Sequence, residues 1–316
     1  RDGRVHICGV PRSGQFRLGA DNNVYTNLMA QQNFLDAADL ATRYPDRAAE
    51  LGVDDEEIAA WRDAAAAMHI PYDEELGVHP QSEGFTRHQE WDFANTPQDH
   101  YPLLLHYPYF DLYRKQVIKQ ADLVFAMYVR GDAFTHEQKV RNFAYYEQRT
   151  VRDSSLSASV QAVMAAEVGD LELAHDYLGE TALLDLYDIA RNTRDGIHVA
   201  SLAGAWIALV AGFGGMRDYG GKLSFTPRLP SRISRLEFAL LWRGKRLRVD
   251  VRPHEVTYAL GEGDTDASID VLHHGEPLRV TAGAPITRPI PPAPPPGPPF
   301  RQPYGRAPAR RSAKSD

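Results

Sequence analysis

The spacing of apolar residues limits what this chain of 316 residues can form, because it changes once, near Gly220 and Gly221. Before that point, alanine-rich segments carry apolar residues three and four positions apart, which is the spacing of one helix face. Since no repeat of fixed period accompanies them, the pattern favours a helical toroid, with ligands at one mouth, over a helical solenoid. The helical segments are residues 28–41, 54–68, 115–128, 137–146, 157–166, 171–178 and 200–210.

After Gly221, apolar and polar residues alternate, which indicates short strands separated by turns. We expect a small β-domain over residues 221–284. The following residues, 285–316, are rich in proline and then in arginine, and they should be disordered or adopt a polyproline II conformation. The glycine-rich turn at residues 212–215 is not followed by Lys-Ser/Thr, which favours an architectural role over a nucleotide-binding loop.

The composition excludes several classes of protein. With 43% hydrophobic and 24% charged residues the chain is ordinary for a globular protein, and its net charge of −7 opposes general binding to nucleic acid. The single cysteine, Cys8, cannot form an internal disulfide, which favours a reducing compartment. Because no apolar run could cross a bilayer and the first residues do not form a signal peptide, we expect a cytoplasmic protein that binds no membrane.

A dense polar cluster opens the helical region. Residues 21–27 read Asp-Asn-Asn-Val-Tyr-Thr-Asn and directly precede the first helical segment. One interpretation is an elaborate helix cap, because Asp and Asn side chains accept hydrogen bonds from the first turn. The other is a site for a polyhydroxylated ligand, because amides, carboxylates and hydroxyls can all bind hydroxyl groups.

This cluster and several later segments, in the same order, resemble glycoside hydrolase family 65, which includes maltose, trehalose and kojibiose phosphorylases. The resemblance implies a mainly α fold, with residues 1–220 as the C-terminal part of an (α/α)6-barrel catalytic domain, a partial toroid, and residues 221–284 as a β-sandwich domain. Because the family's catalytic domain follows an N-terminal β-domain and this chain starts without Met, we expect it to be the C-terminal part of a longer enzyme. The further matching segments are residues 70–81, 119–120, 149–157, 192–201 and 225–230.

The resemblance also assigns sugar-binding roles to particular side chains. The family's sugar-binding positions correspond to Lys119 and Gln120. Asn22 and Asn23 of the polar motif are further substrate-binding candidates. Their donors and acceptors suit vicinal hydroxyls. On its own, the pair Lys119 and Gln120 would be interpreted as the solvated face of a helix.

Phosphate-binding roles fall on Ser154, Ser155 and His198 by the same resemblance. A helix N-terminus with adjacent hydroxyls is a suitable anion site, although Asp153 or Ser154 could simply cap the next helix. A lone histidine at a helix start is more often structural. Family members often have His where this chain has Arg152, a difference that could alter the ligand's surroundings.

The position of the family's general acid is altered. Counting back from the Asp-Asn-Asn motif, the catalytic glutamate falls on Gln15, and a primary amide has no proton to give at neutral pH. Either activity has been lost or residues 12–16 carry a local error in sequence or reading frame. The carboxylates that could replace the acid are Glu74, Glu75 and Glu83, although the first two fit a solvated loop.

We therefore expect an inverting α-glucoside phosphorylase. Inorganic phosphate would attack the anomeric carbon of an α-linked glucose disaccharide and release a sugar 1-phosphate and a second sugar. Phosphate replaces the activated water and its base, so no cofactor and no metal are needed. The alternatives are a hydrolase that uses water and a non-catalytic carbohydrate-binding relative. A homodimer is a candidate assembly.

Overall fold

The chain divides into two compact units in the computed structural model. The structure describes residues 3–9, 19–120, 122–189, 191–261, 267–295 and 297–308. The first unit is Arg1–Asp153 together with Arg301–Gly305, and the second is Ser154–Phe300 together with Arg306–Asp316. Within the described ranges, no helix is long and apolar enough to cross a membrane.

Side-chain caps fix where several helices of the first unit begin. Asn23, Asp54 and Thr135 each accept a hydrogen bond from a backbone N–H of the turn that follows, which satisfies a donor that no helical carbonyl can reach. The helices are α1 Val24–Arg43, α2 Pro45–Glu50, α3 Asp55–Ala67, α4 Tyr109–Leu112, α5 Asp122–Val129 and α6 His136–Glu147. Two short strands of this unit, β1 Gln89–Glu90 and β2 Lys115–Gln116, pair in parallel.

The helix predicted over residues 115–128 is wrong in its first half. After β2, the Ile118 N–H donates to Arg149 O at 2.9 Å, and the Ile118 carbonyl accepts from Val151 N at 2.8 Å. Because these backbone groups are bound to a segment distant in sequence, they cannot also close helical turns. The β-branched side chain suits this extended stretch, and the helix begins only at Asp122.

The helices of the second unit include two that run in the same direction. They are α7 Ser157–Glu167, α8 Leu171–Leu183 and α9 Val199–Ile207, which continues as a π-helical turn, Ala208–Phe213. A Cβ added to Gly204 would lie 2.6 Å from Ser159 Cβ, and one added to Gly212 would lie 3.5 Å from Val163 Cα. Ser159 precedes Val163 in α7, and their partners Gly204 and Gly212 follow one another in the same order. The helices α7 and α9 are therefore parallel.

The intervening helix α8 runs in the opposite direction. Gln161, in the middle of α7, donates to Tyr177 OH of α8 at 3.2 Å. Ser201, in the first turn of α9, donates to Thr181 O near the end of α8 at 3.1 Å. The end of α8 therefore lies beside the start of α9, and a loop of a few residues after α7 is sufficient to reverse the chain.

The turn between α9 and the β-domain depends on glycine. Gly215 has φ +61°, and a Cβ added there would collide with Thr226 O. A Cβ added to Gly214 would lie 2.5 Å from Val210 O and 2.9 Å from the Phe238 ring. The backbone therefore passes too close to its neighbours for any side chain, in agreement with the architectural role predicted for this turn.

Two sheets of the second unit share one apolar core. Along one central strand, Leu247, Val249 and Val251 are buried whereas Arg246 and Arg248 between them are exposed, as expected for a strand with one face on the core. The sheets have the orders β3-β7-β8 and β4-β5-β6-β9. The strands are β3 Ser224–Phe225, β4 Leu236–Trp242, β5 Lys245–Val251, β6 Glu255–Leu260, β7 Ser268–His273, β8 Glu276–Thr281 and β9 Ile286–Pro289.

Part of the segment predicted as a disordered tail has defined structure. β9, Ile286–Pro289, pairs with β6 in antiparallel orientation, and the hydroxyls of Thr257 and Thr287 lie 2.8 Å apart. Because β9 is an edge strand, the missing N–H of Pro289 leaves no neighbouring strand without a donor. The prediction of disorder is therefore wrong for β9.

A second part of the same segment belongs to the first unit. Within Arg301–Gly305, Gln302 Nε2 donates to Glu147 Oε2 at 2.9 Å, and Gln98 Nε2 donates to Tyr304 O at 3.0 Å. These bonds give the proline-rich segment fixed partners after its first prolines. The predicted domain limits at residues 220 and 284 remain predictions.

Candidate functional site

The polar motif at residues 21–27 caps α1. Asn23 Oδ1 accepts from Thr26 N at 3.0 Å, and Asn23 Nδ2 donates to Gln81 O at 2.7 Å. The same Gln81 carbonyl accepts from Val24 N at 3.2 Å. Asn23 is 1% exposed, so the cap interpretation is confirmed for this residue, and its predicted sugar contact remains a prediction.

Asn22 joins the motif to the segments around it. It has φ +48°, a conformation that Asn tolerates better than most residues. Its Oδ1 accepts from Ile7 N at 3.2 Å and from Asn27 Nδ2 at 3.3 Å. Its Nδ2 donates to Glu83 Oε2 at 2.6 Å and to His6 Nδ1 at 2.9 Å. The buried amide thus holds neighbouring groups in place. At this position, a sugar would be contacted by the groups that Asn22 binds and not by Asn22 itself.

His6, His69 and Glu83 form a cluster that the sequence analysis did not identify. One potential ligand atom from each lies within 4.8 Å of the others. Asn22 Nδ2 donates to His6 Nδ1, and Arg4 NH1 lies 2.9 Å from His69 Nδ1. Because an amide NH2 and a guanidinium can only donate, each neutral ring carries its proton on Nε2. To bind such a ring, a metal ion would have to displace the donor from the Nδ1 lone pair or the proton from Nε2.

Lys119 and Gln120 lie in the bend between β2 and α5, and both are half-buried. Their interpretation as a solvated helix face is wrong, because the backbone of Ile118 just before them is bound to another segment. Among the described residues, no carboxylate pairs with the Lys119 ammonium. A half-buried cation without a counter-ion is a suitable partner for the oxygens of a polar ligand.

Gln116 fixes the segment that leads into this bend. Its Nε2 donates to Thr86 O at 3.0 Å and to His88 O at 2.6 Å, while its Oε1 accepts from Tyr145 OH at 2.5 Å and from Arg149 Nε at 2.9 Å. Burial raises the pKa of Tyr145 to about 12, so the phenol stays a donor at neutral pH. A fully bonded amide of this kind holds the backbone in one conformation.

Ser154 and Ser155 lie in the turn before α7. Ser154 Oγ accepts from Leu156 N at 3.3 Å, which is a local turn rather than a cap. Asp153 Oδ2 instead accepts from Leu103 N at 2.9 Å. Leu156, the residue directly before α7, gives this helix no side-chain cap. Whether Asp153 or Ser154 caps α7 stays a prediction, and the positive end of the helix dipole faces this turn.

His198 begins α9 and is bound twice by Asp185. Its Nδ1 lies 2.5 Å from Asp185 Oδ1, and its backbone N–H donates to Asp185 Oδ2 at 2.7 Å. These hydrogen bonds lower the pKa of Asp185, so the carboxylate is ionised at neutral pH. Because a carboxylate can only accept, Nδ1 carries a proton and Nε2 is the ring nitrogen left for a ligand. No sequence pattern indicated that Asp185 would be this partner.

The predicted phosphate-binding residues belong to the same end of one group of helices. Ser154 and Ser155 precede α7 and His198 begins α9, and these two helices are parallel. The end of α8, which is followed by Asp185, lies beside the start of α9. Hydroxyls, an imidazole and two helix N-termini are therefore presented at one end of the second unit.

The remaining predicted residues divide between the two units and the undescribed part of the chain. Gln15 lies outside the described residues. Glu74 and Glu75 are exposed, as predicted for a solvated loop. The predicted sugar-binding residues belong to the first unit, and the predicted phosphate-binding residues to the second.

Comparisons with known proteins give the same family as the sequence motifs. The family model for the glycosyl hydrolase family 65 central catalytic domain matches residues 1–207, and the model for the C-terminal domain of that family matches residues 216–280. An uncharacterized glycosyl hydrolase of Mycobacterium leprae is 56% identical, over 100% of this chain and 39% of that protein.

Relatives with named activities are also similar. The α,α-trehalose phosphorylase of Thermoanaerobacter brockii is 40% identical over 77% of this chain and 33% of its own length. The kojibiose phosphorylase of Halothermothrix orenii is 33% identical over 85% of this chain and 35% of its own length. A solved human-microbiome protein provisionally named kojibiose phosphorylase superposes with a TM-score of 0.78 and 28% identity, over 90% of this chain and 42% of that one.

The chain thus spans well under half the length of these relatives. The predicted order of a helical region followed by a small β-rich region is confirmed by the order of helices and strands, and the two family models match in the same order. The chain belongs to glycosyl hydrolase family 65.

Proposed function

We propose that this chain is part of an inverting α-glucoside phosphorylase, which converts a disaccharide and inorganic phosphate into a sugar 1-phosphate and a sugar. The observation that carries this proposal is the common position of Ser154, Ser155 and His198 at one end of α7 and α9. A hydrolase that activates water needs a second carboxylate, whereas hydroxyls and an imidazole beside helix N-termini suit an anion.

The phosphate would be bound mainly by electrostatic means. Ser155 offers a hydroxyl that has no partner among the described residues, and the first turn of α7, to which Leu156 gives no side-chain cap, offers backbone N–H groups. His198 offers Nε2, since Asp185 occupies Nδ1. Charge-assisted hydrogen bonds of this kind are stronger than those between neutral groups, so a phosphate dianion should be held more tightly than a neutral water.

The sugar would be bound by residues of the first unit. Lys119 and Gln120 are half-buried in the bend before α5, where an ammonium and an amide can bind vicinal hydroxyls. Asn22 and Asn23 would act through the groups that they hold, among them Glu83 and His6. We assign the helices to part of an (α/α)6 toroid, which the alternation of parallel α7 and α9 with antiparallel α8 supports.

Two alternatives from different classes stand beside this proposal. An amide at the position of the family's acid cannot protonate the leaving oxygen, and a chain without that acid could be a non-catalytic carbohydrate-binding relative. Hydrolysis of an α-glucoside by water is the other alternative. A cytoplasmic location, a homodimer and the absence of a cofactor remain predictions.

The test is an assay of the full-length protein with trehalose, kojibiose and maltose, each with and without inorganic phosphate. We expect a sugar 1-phosphate only when phosphate is present, and His198→Ala should raise the KM for phosphate. His254→Ala is the matched control, because this histidine is exposed in the turn between β5 and β6. Free glucose at a rate independent of phosphate would establish the hydrolase, and sugar binding without any product would establish the non-catalytic relative.

A further inference from the structure

Asp185 and His198 join the ends of two helices through one carboxylate. Asp185 lies two residues after the end of α8, and His198 directly precedes α9. Oδ2 accepts the His198 backbone N–H at 2.7 Å, and Oδ1 lies 2.5 Å from the ring Nδ1. The two side chains are 14% and 18% exposed. One carboxylate therefore fixes both the position of the first residue before α9 and the orientation of its ring.

This contact also determines the chemistry of the ring. The carboxylate has no proton to donate, so Nδ1 must carry one and Nε2 points away from Asp185. An imidazole held in this way can donate from Nε2 only as the imidazolium, and the negative charge of Asp185 compensates that positive charge. In a ring without such a partner, either nitrogen could face the ligand, and the positive charge of the imidazolium would have no counter-ion beside it.

We propose that Asp185 is a positioning residue for phosphate, which holds His198 so that Nε2–H donates to an oxygen of the bound anion. This inference rests on the proposed function, because it assumes that His198 contacts phosphate. Asp185 itself does not touch the ligand. It acts by fixing the donor and by balancing its charge in the absence of phosphate.

A purely structural role for the same contact makes a different prediction. If Asp185 only tied α8 to α9, its loss would lower the melting temperature and would weaken sugar and phosphate binding alike. If it orients a phosphate donor, its loss raises the Kd and the KM for phosphate and leaves the KM for the disaccharide unchanged. The ratio of the two KM values therefore separates the roles.

The variants are Asp185→Ala, Asp185→Asn and the matched control Asp188→Asn. The amide oxygen of Asn can still accept from Nδ1–H, but its NH2 group then faces the His198 backbone N–H, so only one of the two bonds is kept. Asp188 lies in the same segment and accepts from Thr193 N at 3.0 Å, without contact to His198. Its φ of +46° is one that Asn adopts readily.

The experiment is calorimetric titration of the full-length protein with inorganic phosphate, followed by KM measurements for phosphate and disaccharide. We expect Asp185→Ala to raise the Kd for phosphate by about 10-fold to 100-fold, the range for loss of a hydrogen bond to a charged group. Asp185→Asn should give a smaller increase, and Asp188→Asn should retain the original affinity.

The outcomes distinguish this inference from the function on which it rests. If the unmodified protein does not bind phosphate, the proposed function fails and the inference fails with it. If His198→Ala weakens phosphate binding and Asp185→Ala does not, the function stands and the role of Asp185 is overturned. Equal increases in both KM values for Asp185→Ala would also overturn it, because they would indicate only a structural tie.

Discussion

Asn142 binds His79 through both atoms of its amide. Oδ1 accepts the His79 backbone N–H at 2.8 Å, and Nδ2 lies 3.1 Å from the ring Nδ1. The ring packs edge-on against Tyr72 and Phe134, and this burial lowers the pKa of His79 to about 4. His79 also precedes the Gln81 carbonyl that receives the start of α1. A neutral imidazole is thus part of the support for the polar motif.

The low pKa of His79 predicts that the first unit loses stability in mild acid. In the unfolded chain the imidazole has a pKa of 6.5, so below that pH the unfolded state gains a proton that the folded state gains only near pH 4. The stability present above pH 6.5 therefore falls as the pH falls, by about 2 kcal/mol at pH 5. Thermal unfolding of the original protein and of His79→Gln at pH 8 and pH 5 measures this loss. Equal falls in melting temperature for both proteins would contradict the prediction.

A second prediction concerns the cap of α1. Asn23→Ala removes the acceptor for Thr26 N and the donor to Gln81 O, so it should cost about 1.5–3 kcal/mol, the sum of a lost cap and one of the two hydrogen bonds that the Gln81 carbonyl accepts. Asn23→Ser keeps an acceptor for Thr26 N and places no charge beside the Gln81 carbonyl, so it should cost less. Asp54→Ala at the exposed cap of α3 is the control, with an expected cost of about 1 kcal/mol. Equal costs for the alanine variants at positions 23 and 54 would show that the bond to Gln81 contributes nothing.

The sequence predicted those features that local chemistry decides. The helical spacing located most of the helices, and the Asp-Asn-Asn motif was recognisable as a cap because its acceptor lies three residues from the N–H that it binds. The alternation in β5 is similarly local, since every second residue faces the core. The family motifs also named His198 and the serines before α7 as candidates for binding phosphate, and this role stays a prediction.

The features that the sequence did not reveal depend on contacts between distant segments. The start of α5 was misplaced because Ile118 pairs with a segment near Thr150. β9 was missed because its prolines obscured an edge strand that needs a partner on one side only. Asp185 becomes the partner of His198 only after the chain has folded. The same is true of the cluster of His6, His69 and Glu83, and no spacing in the sequence indicates either contact.

Lys119 should affect the sugar and not the phosphate. Its ammonium is half-buried and lacks a carboxylate partner among the described residues. Lys119→Met keeps the length and apolar stem of the side chain and removes the charge, so we expect the KM for disaccharide to rise about 10-fold or more. The KM for phosphate should not change. Lys115→Met is the control, because the Lys115 ammonium already donates to Gln89 Oε1. A rise in the KM for phosphate alone would place Lys119 at the anion instead.

Gln15 provides the most direct test of catalytic competence. If this position is that of the general acid, Gln15→Glu supplies the missing proton donor, and turnover should rise by about 100-fold to 10,000-fold, the usual contribution of general acid catalysis. The gain should disappear at alkaline pH, where the new carboxyl group has lost its proton. Gln15→Asn is the matched control, because it changes the side chain without providing an acid. Equal and measurable turnover for Gln15→Glu, Gln15→Asn and the original protein, measured as sugar 1-phosphate released, would show that the proton comes from another residue, since the leaving oxygen must be protonated in any case.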